Sequence, residues 1–122
     1  MKALVAEHPH VVGFIVQGLR EAGYVVDVAS DAEEALQLGR SRDHDVIVLA
    51  FALPKQGGVQ VAAALRRSGV STPILMLIPR DDDAERTARE AGANGHLVKP
   101  FRFEVLLDRL QALVTRGHRA SS

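Results

Sequence analysis

The chain has 122 residues, 47% of them apolar and 25% charged, with 15 Lys and Arg against 15 Asp and Glu. That balance describes one globular domain with a single core, neither a disordered chain nor two domains. Zero net charge argues against nucleic-acid binding by the domain itself, and the lack of any Cys rules out a disulfide scaffold, a thiolate zinc site and a thiol nucleophile.

Residues 2–6 predict a strand, and it reaches Glu7 too soon for the apolar stretch of a signal peptide. Residues 11–22 carry Val12, Ile15, Val16 and Leu19 at helical spacing and stop at Gly23. A second strand over 25–29 leads into Ser30-Asp31-Ala32-Glu33, which has the form of a capping box and opens a helix to about Arg40. Residues 45–52 are almost wholly apolar and predict a buried strand, broken by Pro54 and by Gly57-Gly58. Gly57-Gly58 serves the turn and is no phosphate loop, since no dinucleotide or P-loop fingerprint accompanies it. A helix over 59–67 presents Val61, Ala62 and Leu65 on one face, and Pro73 introduces a strand over 74–78. Asp81-Asp82-Asp83 suits the positive end of a helix that finishes near Gly92. A short strand over 96–98 follows. Phe103, Leu106, Leu107, Leu110, Leu113 and Val114 then mark the inner stripe of a last helix. The longest apolar run is far short of a membrane span, so a soluble cytoplasmic domain with no membrane partner is the expectation.

Strand and helix alternate five times, and the central strands show no polar alternation. The expected fold is therefore α/β, a three-layer doubly wound domain with its chemistry at the carboxyl ends of the strands. Residues 1–116 form this domain, and 117–122 read as a linker or frayed tail.

At those strand ends the chain resembles the receiver domain of bacterial two-component response regulators. The resemblance runs from Lys2 to about Arg116. It is carried by Glu21-Ala22-Gly23-Tyr24-Val25-Val26-Asp27, Glu33-Glu34-Ala35-Leu36, Asp45-Val46-Ile47-Val48-Leu49, Leu53-Pro54, Pro73-Ile74-Leu75-Met76-Leu77 and Leu97-Val98-Lys99-Pro100-Phe101. The Leu-rich last helix running into an Arg/Gly/Ser segment looks most like the OmpR/PhoB subfamily, where a winged-helix DNA-binding domain follows. The resemblance implies a (βα)5 flavodoxin-like sheet of order 2-1-3-4-5. It also implies phosphoryl transfer to an aspartate ending the third strand, beside acidic residues that hold magnesium, a switch Thr or Ser, and a Lys before a cis-proline.

Carried over position by position, little of that site remains. The phospho-acceptor position holds Ala50. Spacing from Gly23 puts the two acidic positions at Ala6 and Glu7. The switch hydroxyl position is Ile78, followed by Pro79, and the aromatic switch position is His96; Lys99 and Pro100 are retained. One carboxylate facing one ammonium sums to zero, a poor host for magnesium. The joint change at Ala6, Ala50 and Ile78 reads as a pseudo-receiver lineage that left phosphorylation, with no metal and no cofactor.

Glu7 and Lys99 read either as a structural ion pair or as a binder of a small anion. His8 and His10 beside Glu7 read as loop residues, with a metal site as the sharper alternative. His96 as a pH switch is weighed the same way. Asp81-Asp82-Asp83, Arg66-Arg67, Arg116 and Arg119 read as solvated. No nucleophile–base pair or cofactor fingerprint marks an enzyme. Two functions follow: a regulatory domain of a phosphorylation-independent transcriptional response regulator, or a stand-alone adaptor that docks a protein. Arg86, Arg89, Glu90, Arg102, Glu104, Asp108 and Arg109 offer a charged face for a partner or a second copy. Asn94-Gly95 and Val105 break the subfamily's usual dimer pattern, and DNA would be reached only through a further domain.

Overall fold

Two stretches of five consecutive buried residues, Val46–Ala50 and Ile74–Ile78, set the middle of the molecule. Strands of this kind need apolar cover on both faces, and the helices supply it. The computed structural model describes the backbone of residues 1–120 and the side chains of residues 1–116. The elements run β1 (Lys2–Ala6), α1 (Pro9–Glu21), β2 (Val25–Ala29), α2 (Ala32–Arg40), β3 (Val46–Ala50), α3 (Gly58–Arg67), β4 (Ile74–Ile78), α4 (Ala84–Glu90), β5 (Gly95–Val98) and α5 (Phe103–Ala120).

The five strands form one parallel sheet in the order β2-β1-β3-β4-β5, the expected doubly wound arrangement. Alternate side chains leave opposite faces of each strand. Val5, Val48, Leu75 and Leu77 therefore meet Ile15 and Leu19 of α1 and Leu106 and Leu110 of α5. Leu4, Leu49 and Met76 meet Ala35 of α2, Val61 and Leu65 of α3 and Ala88 of α4. Among the described residues no helix is long and apolar enough to cross a membrane.

Local chemistry sets the element ends. Pro9 occupies the first turn of α1, where its missing N–H costs nothing, and Gly23 at φ 95° lets the chain leave that helix. The α2 cap differs by one residue from the expected box. Asp31 Oδ1 accepts the Glu34 N–H at 2.8 Å, and Glu34 Oε1 accepts the Ser30 N–H at 3.0 Å. The Asp31 carboxylate is the charged acceptor, and Glu34 stands three residues on, where it reaches back. The third strand stops at Ala50 rather than at residue 52, because the Gly58 N–H turns back to the Phe51 carbonyl at 2.8 Å. A Cβ at Gly58 would overlap the Ala50 carbonyl oxygen, so glycine is what lets α3 start this close to the strand end. The last helix runs to Ala120, beyond the boundary expected at Arg116, and Ser121 and Ser122 lie outside the described residues.

Arg66 corrects a second expectation: it is not a solvated charge. Its guanidinium lies half-buried against the loops that flank β4 and donates to the carbonyls of Val70 at 2.8 Å, Thr72 at 2.9 Å and Gly92 at 2.9 Å, and to Asn94 Oδ1 at 2.8 Å. Asn94 Oδ1 also accepts the Ile74 N–H at 2.8 Å, so one side chain ties α3, the β4 entry and the β5 entry together. Burial holds the Arg66 pKa below its ordinary value, as desolvation of a cation requires. Hydrogen bonds from a charged donor contribute about 1.5–3 kcal/mol. Arg66→Ala is therefore expected to lower urea-unfolding stability by about 2 kcal/mol, whereas Arg67→Ala, at an exposed position, leaves it within about 0.5 kcal/mol.

Candidate functional site

The carboxyl ends of β1, β3, β4 and β5 converge on one side of the sheet. Ala6 pairs with Leu49, so the next residues in register, Glu7 and Ala50, stand opposite each other. Ala6 itself belongs to the core on the α2, α3 and α4 side and does not face Glu7. Spacing from Gly23 counts residues across the whole of α1 and places Ala6 at the site. Register along the strand makes Glu7 the β1 side chain that serves it, with His8 next in the chain.

Glu7 is 1% exposed, and its partner comes from the far side of the site. Lys99 Nζ lies 2.6 Å from Glu7 Oε2, with the lysine side chain 36% exposed. The contact is close but off-axis, and Oε2 makes no hydrogen bond among the described residues. The other oxygen, Oε1, accepts the His8 N–H at 2.7 Å. The Lys99 N–H donates to the Ile78 carbonyl at 2.9 Å, which ties the residue to the end of β4, and the Lys99–Pro100 peptide is cis. Ala50, the last residue of β3, is fully buried.

The remaining expected positions separate from this pair. Ile78 lies in the core on the α2, α3 and α4 side. His96 faces α4, where its Nε2 is 3.8 Å from Glu85 Oε2. His8 and His10 stack at 4.9 Å, and His8 Nδ1 accepts the His10 N–H at the head of α1 rather than converging with Glu7 on a common point. Asp83 pairs with Arg86 at 2.9 Å, Arg89 with Glu85 at 3.7 Å, and Arg109 donates to the His96 carbonyl at 2.8 Å. Arg86, Arg89 and Arg109 are thus each held by a partner within the chain.

Magnesium takes about six oxygens in a near-octahedral set and holds its waters tightly. The site offers one carboxylate, one oxygen accepting a backbone N–H and the other in charge contact with an ammonium without a hydrogen bond. These residues do not fit that ion.

Sequence reasoning missed the aromatic surround. Phe51 follows Ala50 directly, Phe101 follows the cis-proline, and Phe14 rises from α1; all three border the site. Two of these signals were legible: a phenylalanine stands just beyond the end of β3 and another just beyond Pro100.

A family model for the response regulator receiver domain matches residues 3–111. The transcriptional regulatory protein HprR of Escherichia coli is 37% identical over 120 residues, covering 98% of this chain and 53% of that protein. The chain spans about half the length of the curated relatives it matches. Among solved structures, the Francisella response regulator 1452 receiver domain superposes with a TM-score of 0.88 at 30% identity, covering 94% of this chain and 97% of that one. The receiver domain of the sensor histidine kinase PA1611 from Pseudomonas aeruginosa, which carries magnesium in its active-site cleft, gives 0.83 at 26% identity over 93% of this chain and 97% of that one.

The asymmetry of the ion pair sets a stability test. Lys99→Met leaves a carboxylate that is fully buried, at a cost of about 3 kcal/mol. Glu7→Ala leaves an ammonium already about one-third exposed, which reaches water at about 1 kcal/mol. The double variant should be milder than the sum of the two, a coupling read from urea unfolding of all four proteins.

Proposed function

The chain belongs to the response regulator receiver family, and from that premise we propose that it is the regulatory domain of an atypical, phosphorylation-independent response regulator. It works in the cytoplasm and controls transcription through a DNA-binding region outside these 122 residues. The observation that carries the reading is Ala50 at the end of β3 beside a closed Glu7–Lys99 pair. A methyl group has no lone pair with which to attack phosphorus and no carboxylate with which to form an acyl phosphate. The lysine that would meet a phosphoryl oxygen is held 2.6 Å from a carboxylate instead. At the switch position, Ile78 offers no hydroxyl to report a bound phosphoryl group. The relatives support the transcriptional part: HprR and TcrA are transcriptional regulatory proteins about twice the span matched here.

With the phosphoryl switch absent, output depends on association. Arg86, Arg89, Arg102, Asp108 and Arg109, on α4 and α5 and the segment between β5 and α5, form the charged face offered to a partner or a second copy. Arg86 and Arg89 belong to short-range pairs at α4, and Arg109 to a backbone contact, so these three differ from a dimer face laced by salt bridges between α4 and α5.

Beryllofluoride with magnesium should leave the amide spectrum of the domain unchanged, and acetyl phosphate should leave no acid-labile phosphate on it. Stoichiometric phosphate on the chain would contradict the proposal. Ala50→Asp alone should not restore switching. It adds a buried carboxylate next to Glu7 with a single lysine to serve both, and desolvation and like-charge repulsion favour its protonated form. Beryllofluoride-dependent shifts reaching β5 and α5 in that variant would show that Glu7, Lys99 and the new aspartate suffice.

A further inference from the structure

The space beyond the ends of β3, β4 and β5 is not filled. A cleft of about 620 Å³ opens there, within the roughly 300–1,000 Å³ typical of small-molecule sites. Val11, Phe14, Phe51, Leu77, Pro79 and Phe101 supply most of its wall, and Arg80 and Lys99 supply its charged atoms. The chain has four phenylalanines, and all of them gather here: three line the cleft, and Phe103 packs edge-on against Phe14 with ring centroids 6.1 Å apart. Phe14 is 54% exposed, one of the few large apolar side chains left in water among the described residues.

Charge narrows the ligand. Lys99 is neutralised by Glu7, whereas Arg80 makes no hydrogen bond or ion pair among the described residues. The aspartates that follow Arg80 do not line the cleft, and Asp83 is spent on Arg86. The lining therefore carries one unspent positive charge at the edge of an aromatic wall. Aromatic walls favour a flat ring system, and a guanidinium favours a carboxylate, sulfonate or similar oxyanion, which it binds through paired N–H donors.

We propose that this cleft binds a small aromatic anion, its rings among Phe14, Phe51 and Phe101 and its negative group at Arg80. The proposal rests on the reading that the site takes no phosphoryl group, since Lys99, which would meet a phosphoryl oxygen, lines the cleft. Binding buries Phe14 and connects α1 to the segments that follow β3, β4 and β5, the last two of which lead into α4 and α5.

The probe is 1-anilinonaphthalene-8-sulfonate, compared with its neutral congener N-phenyl-1-naphthylamine, on the 122-residue chain. Amide spectra should show saturable one-to-one binding of the sulfonate, with shifts confined to Phe14, Phe51, Ala52, Leu77, Arg80 and Phe101. Arg80→Gln should weaken the sulfonate about tenfold and leave the neutral congener unchanged, and Phe14→Ser should weaken both. No saturable binding, equal response of both probes to Arg80→Gln, or shifts spread beyond the cleft would overturn the proposal. So would a concentration-dependent dimer dissociated by Phe14→Ser, which would show the cleft covered by a second copy. The two readings fail separately. Silence of the spectrum to both beryllofluoride and the sulfonate overturns the ligand and leaves phosphorylation independence standing, whereas phosphorylation of the chain overturns both.

Discussion

A carboxylate that is 1% exposed must have a partner, and for Glu7 the partner is Lys99. Removing a charge from water costs several kcal/mol, so burial of Glu7 is tolerable only while the ammonium stays within contact distance. That requirement joins the end of β1 to the segment between β5 and α5 across the whole width of β3 and β4. Ala50 at the end of β3 is small and apolar, so it does not compete for either charge. The pair is complete as it stands, with no net charge left over to recruit a metal ion.

The same arrangement explains why the site is apolar around its one ion pair. In the similar PA1611 receiver structure the cleft holds magnesium, which calls for oxygens and open water. Here the strand ends give way to Phe51, Pro79 and Phe101, and α1 adds Phe14. A neutral pair and an aromatic wall are mutually consistent, since an unpaired carboxylate beside three phenyl rings would suffer desolvation without compensation. Arg80, at the edge, keeps its charge available to solvent.

The sheet was legible because its strands are short apolar runs bounded by Gly, Pro or charge. The expected limits 2–6, 25–29 and 74–78 coincide with β1, β2 and β4. The exception is informative: the apolar run 45–52 outlasts β3 because Phe51 and Ala52 are apolar for the sake of the cleft rather than the sheet. The Glu7–Lys99 pair could be anticipated by counting charges at the strand ends. Ala6 was placed at the site by spacing from Gly23 across α1, whereas its side chain packs in the core on the α2, α3 and α4 side. Arg66 looked solvated because its acceptors are carbonyls of Val70, Thr72 and Gly92 and the Asn94 side chain, none of which announces itself as a partner in sequence. The gathering of all four phenylalanines is likewise non-local, assembled by the order of strands and not by any motif.

The central claim is that Glu7 and Lys99 satisfy each other, leaving a site that recruits no divalent cation. Magnesium titration followed by amide shifts, at constant ionic strength, tests it most directly. The closed pair gives no saturable shift at Glu7, His8, Ala50 or Ala52 through millimolar magnesium, and only the weak, linear drift of non-specific screening. Saturable shifts at those four amides at submillimolar magnesium would show that the carboxylate leaves the lysine for a metal ion, and that the site retains the ion chemistry of its family.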